Sequence, residues 1–227
     1  SGLIFGFCLA NRSFFSVGSQ LKKHLREIFS FSVWLMVAGF VGTLFSQVDI
    51  LMLKKMSTDA EVANFIGGQK IAGIFLLVSQ SLFSVLLPKV ANYSLKEQLW
   101  HYYKKCLLLL PLLILGLVPI ILLGPYIIPF LLGARYTGSI ELFQILSIQF
   151  GAVTVTSALT LILYNRNKVY LLSVISLLQL VLNIYLNSVL IPDYGAKGAV
   201  LASMGLAYMA LLIYVVFGYF EAKRVEA

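Results

Sequence analysis

The sequence predicts an all-α, polytopic membrane protein with six membrane-spanning helices, and three observations support this prediction. Of the 227 residues, 60% are hydrophobic and only 11% are charged. Soluble domains average about 25% charged residues, so the low charge content points to lipid as the solvent. The apolar residues form six long runs, and the segments between the runs alternate between basic and nearly neutral.

Each apolar run is long enough to cross a bilayer as a helix. A hydrocarbon core of about 30 Å requires a helix of about 20 residues. The six runs cover residues 31–53, 62–88, 106–132, 140–163, 171–191 and 199–220. We therefore divide the chain into the end of a preceding membrane helix (1–15), a cytoplasmic amphipathic linker (16–30), a six-helix lobe (31–220) and a cytoplasmic tail (221–227).

The alternation of basic segments predicts the topology. Basic residues collect before the first run, after the second, after the fourth and in the tail, whereas the other loops are nearly neutral. The basic segments contain Arg12, Lys22, Lys23, Arg26, Lys89, Lys96, Lys104, Lys105, Arg166, Lys168, Lys223 and Arg224. The positive-inside rule makes them cytoplasmic, together with the C-terminus. The net charge of +8 is therefore a topology signal and not evidence for nucleic-acid binding.

Two basic segments and one apolar run have further local features. In residues 19–31 and 92–106, apolar side chains recur at helical spacing beside lysines, which predicts short interfacial helices. The third run contains Pro111, Pro119, Pro125 and Pro129, and a proline removes a backbone donor and clashes with the preceding turn. We expect this helix to be kinked or broken, with Pro111 and Pro119 as the kink positions.

Two charged residues, Asp49 and Lys70, are the clear cases at depth inside the runs. Asp49 lies near the end of the first run, and Lys70 lies about 12 Å into the second, counted at 1.5 Å per residue. Buried charges in a membrane need a partner or a wet cavity. The sequence leaves three alternatives open. The two residues form a structural ion pair, or Lys70 attracts an anionic headgroup with Asp49 as its partner or as a proton acceptor, or both snorkel to the outer interface.

Uncharged polar residues provide further cavity candidates. In the fifth run, Ser176, Gln179, Asn183 and Asn187 follow spacings of three, four and four, which place them on one helix face. Gln69 and Gln80 join the candidates from the second run, whereas the polar residues of the fourth run, including Gln144 and Gln149, are more scattered. Interhelical hydrogen bonds and a polar cavity explain the fifth-run stripe equally well.

The sequence contains no pattern of a catalytic or cofactor site. HExxH, GxSxG and Walker-type motifs are absent, and the two cysteines have no metal-binding spacing. We therefore predict that the protein is not an enzyme and binds no metal and no cofactor. Active transport by such a chain would draw on an ion gradient, of H⁺ or Na⁺.

Several segments resemble, in order, the C-terminal half of bacterial polysaccharide flippases. These are the segments 46–53, with its aspartate, 61–71, Leu87–Lys89, 132–136 and 187–199. The chain is similar to the O-antigen and capsular-polysaccharide flippases of the multidrug/oligosaccharidyl-lipid/polysaccharide exporter superfamily. The resemblance implies one lobe of a MATE-like, two-lobed transporter in the bacterial cytoplasmic membrane, with the N-terminal lobe of the same chain as its partner.

The resemblance also implies a substrate and a mechanism. Such proteins pass oligosaccharides linked to undecaprenyl diphosphate from the inner to the outer leaflet by alternating access. In this chain Lys70 would attract the anionic head, and the stripe from Ser176 to Asn187 would contact sugar hydroxyls. The alternatives are a cation-coupled multidrug exporter of the same superfamily and a membrane-bound glycosyltransferase or polymerase. Neither the sugar nor the coupling ion follows from the sequence.

Overall fold

The protein is an all-helical bundle in a computed structural model, which describes the backbone of residues 2–223. Side chains are described for Leu25 and for residues 28–223 apart from Lys96 and Ile114. The helices are α1 (Gly2–Met56), α2 (Asp59–Ala72), α3 (Ile74–Ala91), α4 (Lys96–Leu132), α5 (Ser139–Asn165) and α6 (Tyr170–Lys223), with a 3₁₀ turn at Ala134–Tyr136 between α4 and α5. The described residues contain no β-strand.

Helix α6 is a hairpin of two antiparallel arms. The backbone of Gly195 leaves the helical region, with φ 56° and ψ −135°. Across the arms, Gln179 Nε2 donates a hydrogen bond to the Leu206 carbonyl at 3.2 Å, and Asn183 Nδ2 donates to Ser203 Oγ at 3.4 Å. The sequence separation of these pairs shrinks toward Gly195, as a hairpin requires. We call residues 170–194 the first arm and residues 196–223 the second arm.

Six membrane passes follow from these helices, as the sequence predicts. Five continuous helical segments within the described residues are long and apolar enough to cross a membrane, and the fifth of them is the folded α6. Helices α2 and α3 form a single pass with a junction at Gly73. The polytopic all-α fold is therefore confirmed. The predicted linker 16–30 is helical and continuous with the first pass in α1, but its side chains before Ile28, except Leu25, lie outside the described residues.

Helix α4 stays helical through all four of its prolines, so it is not broken at any of them, and kinks at Pro111 and Pro119 stay a prediction. Pro125 lacks an N–H group and leaves the carbonyl of Ile121 without its helical partner. Gln144 on α5 supplies the missing donor, because its Nε2 atom lies 3.0 Å from that carbonyl oxygen. Pro111 and Pro119 lie on the exposed side of the helix. A side chain from the neighbouring helix α5 thus replaces the hydrogen bond that Pro125 removes from α4.

Residues 96–106 do not form a separate interfacial helix, because they are the first turns of α4. Leu99, Tyr102 and Cys106 are buried in the bundle, which fixes this segment by packing. The rest of the segment has an interfacial character. Trp100 stacks on Tyr103 with ring centroids 5.5 Å apart, and the Nζ atom of Lys104 lies 5.1 Å from the Trp100 ring. Aromatic and basic side chains together are typical of a membrane–water boundary.

The central helix of the bundle is α5, which packs against α2, α3, α4 and α6, whereas α1 packs mainly on α6. One apolar cluster, with Leu53, Phe65 and Phe143, fills the end of the bundle near Gly195. A second cluster, with Leu159 and Tyr214, fills the opposite end, where Lys168 forms a salt bridge with Glu221. The predicted tail 221–227 therefore begins inside the packed part of α6, and residues 224–227 lie outside the described residues.

The hairpin turn is held by Glu61 at the start of α2. The Oε2 atom of Glu61 accepts hydrogen bonds from the Ala196 backbone N–H at 2.7 Å and from the Ser57 hydroxyl at 2.5 Å. A carboxylate at the N-terminus of a helix is stabilised by the unpaired N–H groups and by the helix dipole. Glu61 therefore couples the α1–α2 turn to the first turn of the second arm.

We predict that Gly195→Ala destabilises the full-length protein by roughly 2–3 kcal/mol. The φ of 56° disfavours any side chain, and a Cβ atom would lie 1.9 Å from the Glu61 carboxylate. Unfolding in mixed micelles measures the effect. Gly205→Ala in the second arm is the matched control, because a Cβ atom there meets nothing within 4 Å. Equal stabilities of the two variants would contradict the hairpin turn described above.

Candidate functional site

A buried carboxylate lies where α1 meets both arms of α6. Asp49 is 4% exposed, Ser203 is 2% exposed, and Asn183 and Asn187 are fully buried. Asp49 Oδ1 accepts hydrogen bonds from Asn187 Nδ2 at 2.7 Å and from Asn183 Nδ2 at 3.0 Å. Asp49 Oδ2 accepts one from the Ser203 hydroxyl at 2.5 Å. We call these four residues the Asp49 cluster.

The Asp49 cluster has no basic member. Among the described residues Asp49 forms no salt bridge, and Lys70 is exposed. Of the three alternatives that the sequence leaves open, the ion pair between Asp49 and Lys70 is not present in the structure. Three neutral donors solvate the carboxylate but do not cancel its charge, and an unbalanced charge in a membrane interior costs several kcal/mol. The site thus favours a proton or a small cation as the balancing charge.

The oxygen atoms of the Asp49 cluster suit such a cation. Asn187 Oδ1 is buried and has no hydrogen-bond partner among the described residues, and Asn183 Oδ1 accepts only from Asn187 Nδ2, at 3.2 Å. Carboxylate, amide and hydroxyl oxygens are the ligands that hard cations prefer. In the part of the chain that the structure describes, no three His, Cys, Asp or Glu side chains come together as a metal site.

A cavity of about 350 Å³ lies beside the cluster, between α1, α3, α5 and both arms of α6. Its wall on α5 runs from Gln149 to Tyr164, which is about 22 Å at 1.5 Å per residue. The wall is mostly apolar and includes aromatic rings, hydroxyl groups and amide groups, and none of the described residues that line it is Asp, Glu, Lys, Arg or His. Its residues are Phe45, Phe83, Gln149, Val153, Thr156, Ser157, Thr160, Tyr164, Leu172, Ser176, Gln179, Ser203, Ala207, Ala210 and Tyr214.

Ser203 belongs to both features. It lines the cavity, and its hydroxyl group donates to Asp49 Oδ2. A change in the charge of Asp49 therefore acts directly on a group of the cavity wall. The two features form one site: a largely apolar cavity with hydroxyl and amide groups in its wall, and a buried carboxylate one hydrogen bond behind that wall.

The structure brings together some of the predicted site residues and separates others. Asp49, Asn183 and Asn187 form the cluster, and Gln179 lines the cavity. Lys70, Gln69 and Gln80 belong to neither feature. Lys70 and Gln80 are exposed, and Gln69 is half-buried.

Sequence reasoning missed Ser203 and gave Gln149 too little weight. Ser203 lies in a stretch of small residues that indicates close helix packing, so its hydroxyl group carried no separate signal. A signal for Gln149 does exist in the sequence. Gln149, Val153, Thr156 and Thr160 follow spacings of four, three and four, which is one face of a helix. The apolar Val153 interrupts the polar stripe and hides the pattern.

Six membrane passes, with a cavity and a buried carboxylate between them, define a multi-pass membrane protein. Comparison with known proteins agrees with this class of protein and gives its family. Residues 3–141 match the family described as "Polysaccharide biosynthesis protein", and the chain belongs to this family. The predicted polysaccharide flippase family is thereby confirmed.

One curated relative extends this result. The chain is 23% identical over 195 residues to the "Probable low-salt glycan biosynthesis flippase Agl15" of Haloferax volcanii. The match covers 82% of this chain but only 41% of that protein, so the chain spans well under half the length of the relative. No solved structure matches the chain.

We predict that Asp49→Ala and Asn187→Ala are energetically coupled. Asn187→Ala alone leaves a buried carboxylate short of a donor, whereas it costs less once the carboxylate is gone, so the coupling energy should be about 1–3 kcal/mol. A double-mutant cycle in mixed micelles measures it. The control cycle pairs Asp49→Ala with Ser188→Ala, an exposed hydroxyl on the same arm that bonds only to the Tyr185 carbonyl. That cycle should be additive within about 0.5 kcal/mol. Additivity in both cycles would contradict the Asp49 cluster.

Proposed function

We propose that this chain is one lobe of a flippase that moves a lipid-linked glycan between the leaflets of a membrane. The observation that supports this function most strongly is the cavity, whose hydroxyl, amide and aromatic groups lie inside an otherwise apolar bundle. Polar groups at membrane depth are costly unless they meet water or a polar ligand. A glycan is such a ligand. The polysaccharide biosynthesis family and the name of the archaeal relative point the same way.

The mechanism that fits this architecture is alternating access. One rigid six-pass lobe would rock against a second lobe of the same protein and expose the shared substrate path to one side at a time. The chain would then act as a transporter and not as a catalyst. The glycan would travel on an isoprenoid diphosphate carrier for surface polysaccharide assembly. The exposed Lys70 is available to contact the anionic head of such a carrier outside the cavity.

The basic residues orient the lobe. Trp100, Lys104, Lys168 and Lys223 all lie at the Glu221 end of the bundle, together with the C-terminus of α6. The positive-inside rule assigns that end to the cytoplasm. The cavity extends toward the same end, because Tyr164 and Tyr214 line it. In this orientation the cavity would receive the glycan from the cytoplasmic leaflet, where the lipid-linked precursor is made.

The Asp49 cluster is the proposed coupling site. A proton or Na⁺ would neutralise the carboxylate and leave again when the lobe reorients, so that an ion gradient drives the cycle. Ser203 would transmit the change, because its hydroxyl group both binds Asp49 and lines the cavity. No bound cofactor is needed for this cycle.

Transport by the reconstituted full-length protein tests this proposal. We expect proteoliposomes to move a fluorescent isoprenyl-diphosphate glycan across the bilayer, faster under an imposed H⁺ or Na⁺ gradient. Asp49→Asn keeps the size and most hydrogen-bonding capacity of the side chain but removes its charge, so the gradient should no longer accelerate transport. Ser188→Ala is the control and should respond to the gradient like the wild type. The flippase function fails if wild-type vesicles leave the glycan in its original leaflet.

A further inference from the structure

A cluster of aromatic and basic side chains joins the start of α4 to the end of α6. The Nζ atom of Lys104 lies 5.1 Å from the centre of the Trp100 ring, and the Nζ atom of Lys223 lies 5.0 Å from the centre of the Tyr219 ring. Trp100 stacks on Tyr103, and the Tyr219 ring meets Trp100 edge-on with centroids 5.7 Å apart. The ring contacts therefore bring one lysine from each helix to the same surface. We call these five residues the Trp100 surface.

Packing underneath holds the rings of the Trp100 surface in place. Tyr103 is 4% exposed, and its hydroxyl group donates a hydrogen bond to the Val215 carbonyl at 3.2 Å. Its ring lies so close to α6 that a Cβ atom at Gly218 would be 3.2 Å from it. Lys104 and Lys223, in contrast, are exposed. The rings are therefore fixed by the protein, and both ammonium groups are free to contact a ligand.

The Trp100 surface presents hydrogen-bond donors and positive charge. Lys223 Nζ donates to the Tyr219 hydroxyl oxygen at 2.8 Å, so the hydrogen of that hydroxyl group is available to an external acceptor. The acidic side chains described at these two helix ends are Glu97, which is exposed, and Glu221, which is buried and forms a salt bridge with Lys168. Two ammonium groups beside a phenol hydroxyl suit a phosphate group, which carries negative charge and accepts hydrogen bonds.

An apolar groove lies in the same cleft between α4 and the second arm, with α5 behind it. Its volume is about 320 Å³, and its only polar lining residue among those described is Tyr208. Along α4 the groove runs from Leu110 to Ile121, which is about 17 Å at 1.5 Å per residue. It begins about 9 Å from Lys104, counted in the same way. A hydrocarbon chain attached to a phosphate at the Trp100 surface can therefore reach the groove.

The length and position of the groove favour a phospholipid of the bilayer as the occupant. One leaflet contributes about 15 Å to a hydrocarbon core of about 30 Å, so the groove accommodates one acyl chain. Helix α5 presents Gly151 and Ala152 to the groove but Gln149 and Val153 to the cavity, which is a different face of the helix. A lipid carrier bound in the groove would be separated from the cavity by α5, whereas a phospholipid has no need of the cavity.

From these observations we propose that the cleft between α4 and the second arm binds an anionic phospholipid of the cytoplasmic leaflet. Lys104, Lys223 and the Tyr219 hydroxyl group bind its phosphate, and one acyl chain lies in the groove. The lipid links the first turns of α4 to the last turns of α6. Anionic lipids of the cytoplasmic leaflet attract basic residues at the membrane surface, and the orientation proposed above places the Trp100 surface there. The lipid site does not depend on whether the protein moves a glycan.

Native mass spectrometry of the detergent-solubilised full-length protein tests the headgroup contacts. The probes are dioleoyl phosphatidylglycerol and dioleoyl phosphatidylcholine, which share their acyl chains and differ in net charge. We expect tighter binding of phosphatidylglycerol, and a loss of at least about tenfold for the double variant Lys104→Gln/Lys223→Gln. Lys54→Gln/Lys55→Gln removes the same charge from exposed positions at the opposite end of the bundle and should bind like the wild type. Wild-type affinity of Lys104→Gln/Lys223→Gln for phosphatidylglycerol would overturn the proposal.

Ile148→Trp tests the groove separately. Ile148 lines the groove and is 38% exposed, so a larger ring fills the groove without disturbing the buried core. We expect weaker binding of both phospholipids to the same extent, with an unchanged melting temperature in lipid-free micelles. Leu212→Trp, at an exposed position of the second arm outside the groove, is the control and should bind like the wild type. Unchanged phospholipid binding by Ile148→Trp would contradict the acyl-chain site.

Competition distinguishes a phospholipid from the lipid carrier. Undecaprenyl diphosphate at an equal concentration should leave phosphatidylglycerol bound to the full-length protein. Displacement of phosphatidylglycerol under these conditions would overturn the phospholipid assignment and identify the cleft as a carrier site. Retention of phosphatidylglycerol by a protein that moves no glycan in proteoliposomes contradicts the flippase function but supports the lipid site.

Discussion

The buried charge of Asp49 is the constraint on which the rest of the site depends. The carboxylate is 4% exposed, and its three partners are neutral donors from the two arms of α6. Both arms can reach it only because α6 turns back at Gly195, and that turn is held by Glu61 from the start of α2. The hairpin thus brings Asn183, Asn187 and Ser203 to one carboxylate. The bundle positions the carboxylate, and none of the described residues forms a salt bridge with it.

The Asp49 carboxylate and the cavity are adjacent. Because Ser203 belongs to both, ion binding at Asp49 can affect ligand binding in the cavity. Ser203 donates its hydroxyl hydrogen to Asp49 Oδ2 while its side chain lines the cavity. Neutralising Asp49 weakens that hydrogen bond, which frees the Ser203 hydroxyl group to donate into the cavity. The wall would then gain one further donor. A single side chain can therefore make the ligand preference of the cavity depend on the charge state of the site behind it.

Hydropathy and spacing predict the passes and part of the site, because both depend on local sequence. The six apolar runs correspond to the six passes, and the fifth-run spacing places Asn183 and Asn187 on one face. The partner of Asp49 could not be predicted, because pairing depends on how the helices rotate against each other. Lys70 on the next helix carries the charge opposite to that of Asp49, but its side chain is exposed on α2. Asn187 on α6 donates a hydrogen bond to Asp49 instead. The hydrogen bond from Gln144 to the carbonyl that Pro125 leaves free could not be predicted for the same reason, because it joins two different helices.

Infrared difference spectroscopy of the full-length protein tests the central claim most directly, namely that an exchangeable proton or cation balances the Asp49 charge. Raising the pH, or adding Na⁺ at constant pH, should convert a carbonyl band of the protonated carboxyl group into carboxylate bands, and Asp49→Asn should remove this signal. Conversion by pH alone identifies a proton site, and conversion by Na⁺ at constant pH identifies a cation site. A spectrum that lacks any band sensitive to both the titration and the Asp49→Asn substitution would contradict the account.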